Sequence, residues 1–218
     1  MNLLVDLLGG PELPDHRRMV ADFLFKPVLT GDKVVLRPFE PGDFAGIKEA
    51  LLDPEVMRLT GSQPVVWDQA AEARMREWYD TRAEQADRLD LAVEDRATGD
   101  WVGEVVLNKW DPANAACNFR IMFGPSGQDR GLGTEATRLM IGYAFQRLGL
   151  HRISLEVYNF NPRARRVYEK AGFVAEGVLR DALRTGDGWV DATVMAILAD
   201  DWRALPEERK ALIYDQQG

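Results

Sequence analysis

The sequence predicts a mixed α/β (α+β mixed-sheet) domain, with one sheet that is antiparallel over most of its width and interrupted by a single parallel βαβ crossover. Three observations predict it. Strand-like runs at Leu89–Asp95, Trp101–Trp110 and Ala116–Phe123 are separated only by the turn-prone strings ATGD and DPAN, the pattern of an antiparallel meander. The last of these strands is followed by an amphipathic helical run and another strand run, which makes the crossover. Finally, FVAEGVLR and WVDATVMAILA flank TGDG at Thr185–Gly188 and predict a terminal hairpin.

In chain order, residues 1–30 read as an appendage. It holds a short apolar piece, a break at Gly9–Pro11, and PDHRRMVADFLF, long enough for two helical turns. Lys33–Phe39 is the first strand of the domain proper. Pro41 suits a helix start, and FAGIKEALLD after it has apolar residues at helical spacing. Asp68–Arg88 is rich in helix formers with Asp68 as N-cap, so a long amphipathic helix is expected there. After the meander come a helix over Thr134–Leu148, a strand over His151–Tyr158, and a helix from Asn161 that ends at Gly172. The order is β-α-α-β-β-β-α-β-α-β-β over residues 31–203, followed by a helical tail at 204–218, with no internal repeat.

Composition narrows the function classes. The 218 residues carry 27 basic and 35 acidic side chains, a net charge of -8 that repels a phosphate backbone, so nucleic-acid binding is not expected. A single cysteine, Cys117, excludes an intrachain disulfide and suits a reducing cytoplasm. With only His16 and His151 beside it, a structural zinc site is excluded, and no metal is expected. The N-terminus lacks a basic export region and no run is long enough to span a membrane, so a cytoplasmic protein without membrane partners is expected.

The most informative string is QDRGLGTEA, Gln128–Ala136, between a strand and a helix. Gly131 and Gly133 let the backbone approach a ligand, and the free N–H groups and dipole at the helix start favour a pyrophosphate. An ATP-type phosphate loop is excluded because no Gly-Lys-Ser/Thr follows. GLGTEA also fits a dinucleotide fingerprint, with Glu156 near the position of its ribose-binding acid. Against that, Gly124–Arg130 is too long for the tight turn such a fold needs, and only one parallel crossover is visible.

QDRGLG followed by GTEAT, together with NPRARRVYEKAGF at Asn161–Phe173, resembles the GNAT N-acetyltransferases. Within them it is similar to the ribosomal-protein N-terminal acetyltransferase type (RimJ/RimL-like). The resemblance covers about Lys33 to Trp202, and its family has the element order derived above. It implies that acetyl-CoA is the cosubstrate and that its pantetheine arm pairs with the backbone of Ile121, Met122 and Phe123 as an added strand. It further implies that Gln128 opens the pyrophosphate loop formed by Asp129, Arg130, Gly131, Leu132, Gly133 and Thr134. Asn161 would contact the pantetheine amides, and Lys170, Arg165 or Arg166 would reach the 3′-phosphate.

Acetyl transfer to an amine needs the amine neutral, an oxyanion cradle, and a proton for the leaving thiolate. By resemblance Tyr168 is the general acid and Glu156 the general base, with Glu104 in reserve. The oxyanion would rest on a backbone N–H freed by a bulge near Ile121–Phe123. The acceptor would enter between the loop Asp53–Trp67 and the hairpin Arg180–Trp189, with Trp67, Trp110 and Trp189 as candidate lining. The expected acceptor is a protein or peptide N-terminus; a polyamine, an aminoglycoside or another small amine is the alternative. An acyl-CoA-binding sensor without catalysis is disfavoured by Tyr168 and the intact QDRGLG. A monomer or homodimer is expected. His16, His151 and Cys117 are not expected to be catalytic.

Overall fold

The computed structural model describes residues 21–63, 66–186 and 188–211. Eight strands form one sheet in the order β1-β2-β3-β4-β5-β6-β8-β7. They are β1 (Leu29–Thr30), β2 (Val34–Arg37), β3 (Leu89–Asp95), β4 (Trp101–Asp111), β5 (Ala116–Phe123), β6 (Arg152–Tyr158), β7 (Val174–Thr185) and β8 (Gly188–Leu198). All neighbours are antiparallel except β5 and β6, which are joined by the crossover helix α4 (Leu132–Gln146). β3 and β5 have the bounds predicted from alternation and turns.

Helices cover both faces. On one face α4 and α5 (Pro162–Ala171) bury Leu132, Leu139, Met140, Ile141, Tyr168 and Ala171 against Leu91, Val105, Phe119, Ile153 and Leu155. On the other, α1 (Phe44–Leu52), α2 (Pro54–Thr60) and α3 (Gln69–Asp80) close a second core around Ile47, Val56, Tyr79, Ala92, Trp101 and Met122. Consecutive residues of β5 serve the two cores in turn, Ile121 and Phe123 against the first and Met122 in the second, as a strand's two-residue period requires.

Several expectations are corrected. Asp53–Trp67 is not all loop: Asp53 Oδ1 accepts from Val56 N at 2.8 Å, Pro54 opens α2, and Gly61 closes it in the left-handed region at φ 68°. The helix expected to reach Arg88 ends at Asp80, where Arg82 folds back, its Nε 2.7 Å from the Trp78 carbonyl and its guanidinium 3.9 Å from the Trp78 ring. β1 lies within the predicted appendage, and Phe23, 1% exposed, packs on Trp110 with ring centroids 5.3 Å apart. The sheet and core therefore begin before Lys33. The tail from 204 carries only a 3-10 turn at Glu207–Arg209 among its described residues, because Pro206 interrupts any continuation of α6 (Ala199–Ala204). His16 and residues 1–20 and 212–218 lie outside the described residues. No described helix is long and apolar enough to cross a membrane.

Candidate active site

The site is built on an opening in the sheet. β5 and β6 pair only at Ala116–Asn118 with Arg152–Ser154, and no register is made beyond them. Gly124 N donates to Val102 on β4 at 3.0 Å. Because backbone groups alternate sides along a strand, those of Ile121 and Phe123 point away from β4, toward the opening. Apart from the Phe123 carbonyl, which Gln128 reaches, these edge groups have no partner among the described residues and could pair with a ligand arm as an added strand. The predicted bulge is absent, since β4–β5 pairing runs unbroken from Gly103↔Phe123 to Asn108↔Asn118. The register instead shifts between Asn108 and Asp111, at the far end of the strand.

At the top of the opening, the chain turns into α4 through Asp129 (φ 58°) and Gly131 (φ 81°). Gly131 is the N-cap of α4 and supplies no side-chain acceptor, which leaves the first-turn N–H groups free to bind an anion. Gln128 Nε2 donates to the Phe123 carbonyl at 3.4 Å, tying the loop to the strand end. The Arg130 guanidinium is held 2.5 Å from buried Asp95, whereas Asp129 pairs with Arg163 of α5 at 3.2 Å. Lys33 was not anticipated here, yet its Nζ lies 3.5 Å from where a Cβ on Gly131 would stand. More than ninety residues separate the two in sequence, so only the fold brings them together.

α5 forms the opposite wall. Asn161 caps it, its Oδ1 accepting from Ala164 N at 3.0 Å, while Nδ2 donates to the Leu59 carbonyl of α2 at 3.4 Å. Arg163 is the α5 cation ion-paired to the loop. Lys170 lies two turns, about 10 Å, farther along the axis, and the carbonyl of Lys170 accepts from Arg138 and Arg209. Arg165 pairs with Glu169, and Arg166 is exposed. The α4 N-terminus and Lys33 thus offer anion donors at the loop, and they fit the pyrophosphate of a CoA-type ligand.

Tyr168 is buried on the α4–α5 face, edge-on to Phe119 and Phe173 at centroid distances of 6.2 and 5.9 Å. No hydrogen bond engages its hydroxyl among the described residues. Burial raises its phenol above the ordinary range and Arg120 draws it partly back, so the group stays a neutral phenol. Glu156 stands on the other face, exposed, with Ser154 and Tyr158 beside it on β6. Glu104 also lies on that face, opposite Met122, but is sealed under α3 and accepts from the Tyr79 hydroxyl at 2.9 Å. Burial pushes its carboxyl upward, against smaller opposing effects of Tyr79 and Arg120.

Among the tryptophans, Trp67 is half-buried and donates to Glu72 at 3.3 Å, and Trp189 is 61% exposed on the hairpin. Trp110 is removed from the acceptor side: it packs on Phe23 at the foot of β4. Cys117 is buried with its thiol pushed up to about 12, and His151 is exposed at the start of β6. Among the described residues no group of His, Cys, Asp and Glu could hold a metal.

Residues 33–174 match the acetyltransferase (GNAT) domain family. The chain is 28% identical over 171 residues to the spermidine N(1)-acetyltransferase of Escherichia coli (strain K12), covering 78% of this chain and 89% of that one. It is 25% identical over 176 residues to the putative ribosomal N-acetyltransferase YdaF of Bacillus subtilis (strain 168), covering 78% and 94%. It superposes with a TM-score of 0.71 and 25% identity on the crystal structure of spermidine N-acetyltransferase from Vibrio cholerae in complex with CoA and spermine, covering 79% of this chain and 99% of that one. With the crossover sheet, the opened β5–β6 edge and the glycine-capped α4 in place, the chain belongs to the GNAT family of acetyl-CoA-dependent N-acetyltransferases.

Proposed function

We propose that this protein is of the RimJ/RimL-like type and transfers the acetyl group of acetyl-CoA directly to the α-amine of a protein or peptide N-terminus. The observation that carries this is the opening between β5 and β6, with the unbonded phenol of Tyr168 on one face and the exposed carboxylate of Glu156 on the other. The pantetheine arm lies along Ile121–Phe123, Gln128–Thr134 and Lys33 hold the pyrophosphate, and Asn161 faces the arm. Lys170, Arg165 or Arg166 reaches the 3′-phosphate.

Glu156 accepts the proton of the ammonium form, directly or through water. The free amine attacks the thioester carbonyl, the tetrahedral oxyanion rests on an N–H of the free edge, the carbon–sulfur bond breaks as Tyr168 protonates the departing thiolate, and the proton the nitrogen sheds in becoming an amide restores the Tyr168 phenol, directly or through water. An α-amine, with a pKa near about 8, needs less help than a lysine amine near about 10, which suits an exposed carboxylate.

Similarity to the putative ribosomal N-acetyltransferase of B. subtilis supports a protein acceptor. Similarity to the E. coli spermidine enzyme supports a second reading, a polyamine acceptor. The test measures thiol released from acetyl-CoA with short peptides bearing free Ala, Ser or Thr N-termini beside a pool of polyamines and aminoglycosides. Release with peptides that is lost when their N-termini are blocked is expected; release with the second pool alone would favour the alternative.

A further inference from the structure

On the acceptor side of the sheet, Arg120 is a cation with no ion pair among the described residues. Asn118 and Ser154 are the last residues that β5 and β6 pair. Two residues farther on, Arg120 and Glu156 project from the same face, one on each side of the opening. Both are exposed, and they make no ion pair with each other or with any other described residue.

The neighbouring acids explain why Arg120 stays free. Asp90, in the same cross-strand row as Arg120 through Val106, accepts from Arg88 Nε and Nη2, each at 2.6 Å. Glu104 in the next row takes the Tyr79 hydroxyl. The Arg120 charge is nonetheless felt by Glu104, Tyr79 and Tyr168. A guanidinium has five donors and no acceptor, so an unpaired one at a cleft calls for oxygen atoms on a ligand.

We infer that Arg120 binds the carbonyl or carboxylate oxygen on the carbon next to the acceptor amine, while Glu156 across the opening takes the amine. This rests on the acetyltransferase function and on Glu156 facing the amine as proposed above. The recognised chemistry is an α-amino group with an adjacent carbonyl oxygen, present in a peptide N-terminus and in a free amino acid. A polyamine lacks that oxygen and meets a like charge at Arg120.

The experiment compares the wild-type protein with Arg120→Gln and Arg120→Lys on an Ala-headed tripeptide, alanine, alaninamide, ethylamine and spermidine, by initial rates of thiol release. The effect of amine basicity is common to all proteins and cancels in the ratio between them. For Arg120→Gln the preference for carbonyl-bearing acceptors over ethylamine should fall about tenfold or more, the loss of a charged hydrogen bond, through the acceptor KM, with Arg120→Lys intermediate and the acetyl-CoA KM unchanged. Tripeptide turnover that is indifferent to Arg120→Gln would overturn the role of Arg120 and leave the N-terminal acceptor standing. Alanine used in place of the tripeptide, with the Arg120→Gln loss intact, would do the reverse. Spermidine preferred by the wild type and unaffected by Arg120→Gln would overturn both. Because Arg120 is exposed, an unchanged melting temperature checks that the variants fold.

Discussion

The hydroxyl of Tyr79 donates to Oε2 of Glu104 at 2.9 Å, and both residues are buried between α3 and the sheet. Burial raises the Glu104 carboxyl in the folded chain above its unfolded value. The sign follows: stability from this group is complete below the unfolded pKa and is lost as pH rises through the folded one. Glu104→Gln should therefore flatten the fall of Tm with rising pH above the ordinary glutamate range, because the amide oxygen still accepts from Tyr79. Tyr79→Phe leaves the Glu104 carboxyl without its donor and should cost about 1–3 kcal/mol. Thermal melts of the three proteins across pH check both, and parallel Tm curves for wild type and Glu104→Gln would contradict the linkage.

Tyr168 makes no hydrogen bond among the described residues, so Tyr168→Phe should leave Tm almost unchanged. As the proton donor to the thiolate, its loss should lower kcat by about 10²-fold or more with little change in acetyl-CoA affinity. Steady-state kinetics beside a ligand-induced melting shift separates the two quantities.

If Glu156 removes the amine's proton, Glu156→Gln should lower the rate most below the amine pKa and progressively less above it. A pH–rate profile from about 6.5 to 9.5 covers that window around an α-amine. A profile of unaltered shape would leave Glu156 without a catalytic part.

Gly131 and Gly133 differ in what they tolerate. Gly131 sits at φ 81°, so Gly131→Ala should cost about 1–2 kcal/mol and raise the acetyl-CoA KM. A Cβ on Gly133 meets Phe123 at an ordinary 3.5 Å, so Gly133→Ala should fold with near wild-type stability. Melting curves with and without acetyl-CoA distinguish the two.

Local chemistry made much of the fold legible. ATGD and DPAN delimited β3, β4 and β5, and Asp68 marked the start of α3, where its Oδ1 accepts from Ala71 N at 2.7 Å. The signals for α2, Asp53, Pro54 and Gly61, were equally present, but a helix of seven residues gives too few turns for an apolar period to emerge. What stayed hidden depends on register and long-range approach. No local pattern shows that β5 and β6 part after Asn118, that Lys33 arrives at Gly131, or that Arg120 and Glu156 share a sheet face on either side of the gap. The bulge expected near Ile121 came from resemblance and not from the residues, and the unbroken β4–β5 register removes it.

The three paired positions between β5 and β6 have a mechanical consequence. Past Asn118 the five-stranded and three-stranded portions of the sheet have no direct backbone tie and are held by α4, α5 and the contact of Asn161 with Leu59. A cosubstrate arm lying in the gap would act as the missing rung of a ladder, coupling the two portions while it is bound. Amide hydrogen exchange should then slow at Ile121 and Phe123 when acetyl-CoA is added, and quicken again after release of the free thiol product.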